Sequence, residues 1–136
     1  MVLVDTSVWI DHFRVSSGSL ASLLEMDEVA MHPFVLGELA CGNLANRKEI
    51  IALLHALPPV RKVEDDELLM FLERHTLMGR GVGLIDVHLL ASCHLDGCRL
   101  WTNDKRLQTI ATGMGIESSQ QYKGSHVAVA RRATLC

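Results

Sequence analysis

The chain has 136 residues, of which 49% are hydrophobic and 21% charged, a balance that fits one globular domain with a sizeable core and excludes a disordered chain. Its formal net charge of −3 offers no overall attraction for nucleic acid, so any such binding has to rest on local basic groups. No apolar run approaches a membrane span, no basic leader precedes the first one, and Cys41, Cys93, Cys98 and Cys136 are scattered; the expectation is a cytoplasmic protein with reduced thiols and no membrane partner.

Val2 to Val4 reads as a strand buried on both faces, an apolar run that stops at Asp5. Val8, Trp9, Ile10 and Phe13 then recur at helical spacing, with Thr6 or Ser7 available as a cap. Beyond Ser16-Ser17-Gly18-Ser19, Leu20, Leu23 and Leu24 mark a second short helix, and Val29-Ala30-Met31 reads as a second strand. Pro33 suits the first turn of a helix that carries Val35, Leu36, Leu39 and Ala40 and ends near Gly42-Asn43. A helix over Arg47 to Leu57 is stopped by Pro58-Pro59, and Val60 to Val63 reads as a short strand. Glu64-Asp65-Asp66-Glu67 opens a helix running to about Met78; acids there complement the helix dipole, a reading preferred to a metal cluster. "GRGVG" at 79–83 is a flexible loop, and Leu84 to Leu95 is a helix ended by Asp96-Gly97. Arg99 to Thr102 reads as a strand, and Asp104 to Ala111 as a helix closed by Gly113.

Strands alternating with helices predict an α/β/α sandwich around a central parallel sheet of four or five strands. Its functional crevice would lie beyond the carboxyl ends of the strands. The domain is expected over residues 1–116. From Glu117 the character changes, and 117–136 reads as a tail, consistent with a mobile segment, an added edge strand or a dimer arm.

Four acids occupy informative contexts. Asp5 and Asp104 each follow an apolar strand and begin a helix, Glu38 interrupts "FVLGELACG", and Asp86 interrupts "GLIDVHLLAS". Each alone has a plain reading as a cap, a first-turn acid or a solvent-facing side chain. Together they could converge at one crevice. Clustered carboxylates raise one another's pKa unless a cation intervenes, and oxygen ligands favour Mg²⁺ or Mn²⁺.

With these motifs, "VLVDTSVWIDHFR", "LGELACG", "LIDVHLLASC" and "LWTNDKRL", the sequence resembles the PIN-domain ribonucleases and, within them, the VapC-type toxins of bacterial toxin–antitoxin pairs. The resemblance runs from Met1 to about Ile116. It implies a catalytic set of Asp5, Glu38, Asp86 and Asp104, supported by the hydroxyl of Thr102. Asp5 and Asp86 would be the most direct metal ligands, with Glu38 and Asp104 completing the site or a second metal position, and Thr6 or Ser7 orienting them. It further implies metal-assisted hydrolysis of RNA to a 5′-phosphate and a 3′-hydroxyl, a homodimer, and a VapB-type antitoxin that covers the acidic groove. Two departures stand out: His32-Pro33 replaces the Ser or Thr often found before the second motif, and His88 is expected at a helix surface or interface.

An acidic site needs cations to hold an RNA backbone. Arg14, Arg74, Arg80, Lys105 and Arg106 are candidates, Arg80, Arg14 and Lys105 ahead of the others and Arg80, in the glycine-rich loop before Asp86, first among them. Trp9 and Trp101 are expected to pack rather than stack on bases. The spacing of Cys93, His94 and Cys98 lacks the paired ligand sets of a structural zinc site, and no phosphate-binding glycine loop or serine-hydrolase elbow occurs. The rival readings are a small HAD-like phosphatase, which needs a second Asp where Ser7 stands, and a degenerate PIN domain that binds protein or RNA without cutting.

Overall fold

An uninterrupted apolar run suits a strand covered on both faces, and Val2–Val4 (β1) is that strand, with all three residues buried. The structure is a computed structural model and describes residues 1–119. β1 lies in the middle of a parallel sheet, between β2 (Val29–Ala30) and β3 (Arg99–Trp101). Leu3 pairs with Ala30 on one side and Leu100 on the other, and Val4 pairs with Trp101. This is the expected α/β architecture. Among the described residues the sheet has three strands, and two isolated parallel bridges, Met31 with Pro59 and Leu100 with Glu117, extend its edges.

The expected strand at Val60 to Val63 is reduced to the first of those bridges. Met31 N–H donates to Pro58 O at 2.8 Å and Val60 N–H to Met31 O at 3.0 Å. Pro58 and Pro59 have no N–H with which to continue a ladder. At the other edge Ser118 N–H donates to Leu100 O at 2.9 Å, so the first residues of the proposed tail pair beside β3. The remaining tail positions, 120–136, lie outside the described residues.

Among the described residues seven helices connect and cover the strands: α1 (Thr6–Arg14), α2 (Gly18–Glu25), α3 (Pro33–Cys41), α4 (Arg47–His55), α5 (Asp65–His75), α6 (Leu84–Asp96) and α7 (Lys105–Gly113). α1, α3 and α4 pack in succession, while α6 packs on both α5 and β3. Every residue of α6 from Val87 to Cys93 is buried, so it is a core helix. α5 stops earlier than its apolar pattern predicts, at His75. Thr76 takes a left-handed φ of 51°, and Leu77 N–H reaches back to Leu72 O at 3.1 Å, which buries Leu77. Burying a leucine is worth roughly 1.5–3 kcal/mol, enough to offset a left-handed residue at about 1–2 kcal/mol. α7 likewise runs through Gly113, and the positive φ that ends the turn, 72°, belongs to Gly115.

Because the strands are parallel and the chain visits both sides of β1, their carboxyl ends share one edge at a switch in strand order. The register fixes the neighbours there. Asp5 N–H donates to Trp101 O at 2.9 Å, which sets Asp5 beside Thr102.

Candidate active site

Asp5 is buried, 8% exposed, at the end of β1, where it caps α1. A carboxylate in that position needs donors. Its Oδ1 accepts from Thr6 N–H at 2.7 Å, and its Oδ2 accepts from the Thr102 hydroxyl at 2.6 Å and the Ser7 hydroxyl at 3.3 Å. Thr102, fully buried, also accepts from Asp104 N–H at 3.1 Å. One hydroxyl therefore ties the first acid to the backbone of the fourth. Gln108 fixes Thr102 in turn, its Nε2 donating to Thr102 O at 2.8 Å.

Glu38 reaches the same place from α3. The Thr6 hydroxyl donates to Glu38 Oε1 at 2.7 Å across 32 residues of sequence. The departure before this motif is resolved locally: His32 itself caps α3, its Nδ1 accepting Phe34 N–H at 3.0 Å, with Pro33 in the first turn. His32 is fully buried, and burial, reinforced by the nearby His88 and Lys62 charges, pushes its pKa down to about 4. The neutral ring accepts at Nδ1 and so carries its proton on Nε2, which has no hydrogen-bond partner among the described residues. His88 corrects an expectation. It is not on the surface but 3% exposed, edge-on to Phe34 at 4.8 Å and facing His32 at 6.2 Å. Its ring fills space behind α3 while Asp86, two residues away, faces the crevice.

Asp86 lies in the first turn of α6, half-buried, its Oδ2 accepting Gly83 N–H at 3.2 Å. Its pKa is raised above the usual carboxylate value. Burial is the main cause, partly opposed by the Gly83 hydrogen bond and reinforced by the charges of Asp5, Asp104 and Glu38. Asp104 caps α7, its Oδ1 accepting Leu107 N–H at 3.0 Å. Asp5, Asp86 and Asp104 thus all sit at helix starts, where aligned peptide dipoles partly offset their mutual repulsion.

The donor set fits a hard divalent cation. Every candidate atom is a carboxylate oxygen. Glu38 Oε2, Asp86 Oδ1 and Asp104 Oδ2 make no hydrogen bond among the described residues, while the other oxygen of each is anchored. No arginine or lysine neutralises the set: the one ion pair among the described residues joins the Met1 ammonium to Glu28. The acids do not close into a cage, for no three His, Cys, Asp or Glu side chains among the described residues are close enough to hold an ion. Mg²⁺ bound there would take one or two carboxylates directly and keep several waters.

The expected RNA-binding cations divide by position. Arg80 is exposed between Gly79 and Gly81, whose φ angles are 73° and 81°, in the loop that leads to Asp86. Lys105 is exposed at the first position of α7, next to Asp104. Arg14 ends α1, about 13 Å along the helix from Asp5 at 1.5 Å per residue. Trp9 and Trp101 are buried, as expected of packing residues. Gln108 and Asn103, whose Nδ2 donates to Asp11 Oδ2 at 2.8 Å, brace the β3–α7 turn and carried no signal in the sequence.

Comparison with known proteins agrees with this architecture. The model of the PIN domain family matches residues 2–113, which span all three strands and all four acids. Ribonuclease VapC32 of Mycobacterium tuberculosis, from strain CDC 1551 / Oshkosh and from strain ATCC 25618 / H37Rv, is 43% identical over 122 residues. That alignment covers 89% of this chain and 98% of each relative. The chain belongs to the PIN-domain family, among its VapC-type members.

Proposed function

We propose that the chain is an endoribonuclease toxin that hydrolyses RNA phosphodiester bonds with Mg²⁺ or Mn²⁺ held by Asp5, Glu38, Asp86 and Asp104. The observation that carries this reading is the shared field of the four acids: Asp86 feels the charges of the other three at the carboxyl edge of a PIN-domain sheet. The similarity to proteins named ribonucleases supports the substrate.

The chemistry a divalent cation supplies there is stabilisation of charge on the phosphoryl oxygens and acidification of a water. The protein's part is positioning. Thr102 and Ser7 hold Asp5 Oδ2, and the Thr6 N–H holds Oδ1. Thr6 holds one oxygen of Glu38 and leaves the other free. Asp5 and Asp86 are the direct ligands in this reading; Glu38 and Asp104 act through water or complete a second position filled with substrate. Arg80 and Lys105 lie where an RNA backbone would pass.

A VapB-type antitoxin would inhibit by laying a segment over the acidic groove, and exposed Ile10, Phe13 and Leu53 offer apolar footing for it. The toxin acts as a homodimer in the cytoplasm; no described helix is long and apolar enough to cross a membrane. The test is cleavage of total RNA in Mg²⁺ and in EDTA by wild type and by Asp5→Ala. Cleavage confined to wild type in Mg²⁺ supports the reading, and cleavage that persists in EDTA or in Asp5→Ala overturns it.

A further inference from the structure

The arginines of this chain spend their guanidinium groups differently. Arg47 donates to the carbonyls of Gly42 and Ala40, and Arg99 donates to Gly115 O, so both are fastened to the backbone. Arg106, exposed in the first turn of α7, makes no hydrogen bond or ion pair among the described residues, yet it is packed. A methyl group placed on Gly81 would lie 2.6 Å from Arg106 Nη1, 2.8 Å from its Cδ and 3.1 Å from its Cζ. The side chain therefore lies across the α5–α6 loop at a residue that has no Cβ and a φ of 81°.

This contact joins two parts of the crevice. Arg106 is two residues from Asp104, and Gly81 is two residues from Gly83, whose N–H holds Asp86. A cation with no hydrogen bond among the described residues thus lies between the loop that leads to Asp86 and the helix that Asp104 caps. A planar guanidinium grips a phosphate with two parallel hydrogen bonds.

Building on the ribonuclease reading above, we propose that Arg106, laid over Gly81, clamps an RNA phosphate next to the one that is cut. Its charge offsets the repulsion between the acids and the incoming backbone, and its packing sets the path of the strand across the Asp86–Asp104 side of the crevice.

The test uses fluorescein-labelled random single-stranded RNA, bound in EDTA between 50 and 200 mM salt by wild type, Arg106→Ala and Arg106→Lys. Mn²⁺ affinity of each is measured by calorimetry. Arg106→Ala is expected to weaken RNA binding about ten-fold and to reduce the salt slope by about 0.7, the share of one phosphate on a single strand. Arg106→Lys is expected to restore the slope and only part of the affinity, and Mn²⁺ affinity stays unchanged in both. If wild type binds RNA and Arg106→Ala binds it with the same affinity and slope, the clamp is overturned while the ribonuclease reading stands. Loss of Mn²⁺ affinity in Arg106→Ala also overturns the clamp, since Arg106 would then act on the acids. If wild type neither binds nor cleaves RNA, both readings fall together.

Discussion

The molecule contains two groups of four acids, one contiguous in sequence and one assembled by the fold. Glu64, Asp65, Asp66 and Glu67 are contiguous, all exposed, and open α5, where Glu67 Oε1 accepts Glu64 N–H at 3.2 Å. They serve a helix terminus and remain in water. Asp5, Glu38, Asp86 and Asp104 are scattered over a hundred residues of chain, yet burial and their shared field raise the pKa of Asp86. Density of charge along the sequence is cheap because water screens it. Density created by the fold is costly, and a cost maintained by braces such as Thr102 calls for a counter-ion.

The sharpest way to break this contrast is to remove one acid from each group. Asp5→Ala is expected to lower Mg²⁺-dependent RNA cleavage by about a thousand-fold or more, as loss of a charge-stabilising group at a reaction centre does. Asp66→Ala is expected to stay within about two-fold of wild type. Equal effects in an initial-rate assay would erase the distinction. Next comes the brace. Thr102→Val keeps the shape but leaves the buried Asp5 Oδ2 short of its closest donor. We expect about ten-fold slower cleavage and a stability loss of about 1–2 kcal/mol by denaturant titration; unaltered cleavage would remove Thr102 from the site.

A third test approaches from behind Glu38. His32 has a folded pKa of about 4 against an ordinary 6.5, so the folded state resists protonation that the unfolded chain accepts. Its contribution is complete above pH 6.5 and is lost as pH falls from there toward 4. His32→Asn retains a capping acceptor, so its stability should fall less over that window, as followed by thermal melts. The smallest effect is expected at Asp86. Its folded pKa is raised, so its contribution to stability declines as pH rises from the ordinary carboxylate range through the folded value. In EDTA at pH 7, Asp86→Asn should therefore melt slightly higher than wild type, and Mg²⁺ should stabilise it less. A lower melting point in EDTA would contradict the repulsion described.

How much of this was legible in the sequence follows from how local each signal is. β1 and β3 announce themselves as apolar runs ending in an acid, and Pro33 marks the start of α3, because strand burial and helix starts leave short-range traces. The four acids were readable through those contexts. His88 was not, since a polar residue on a helix looks exposed until Phe34 and His32 arrive from α3 to enclose it. The end of α5 is not legible in the sequence because the burial of Leu77, a tertiary effect, outweighs the preference of Thr76 for a right-handed conformation. The braces of the site, Thr6 to Glu38 and Thr102 to Asp5, span 32 and 97 residues and depend on strand register. The packing of Arg106 on Gly81 depends on a positive φ that a glycine permits without announcing.

A divalent cation drawn to the dispersed acids and not to the contiguous ones would leave its mark on backbone amides. Substoichiometric Mn²⁺ added to ¹⁵N-labelled protein reads this directly, because the paramagnetic ion broadens nearby backbone amides. The amides of Thr6, Gly83 and Leu107, which donate to Asp5, Asp86 and Asp104, are expected to lose intensity together while those of Asp65 and Asp66 persist. Broadening centred on Asp65 and Asp66, or none at the other three, would contradict it.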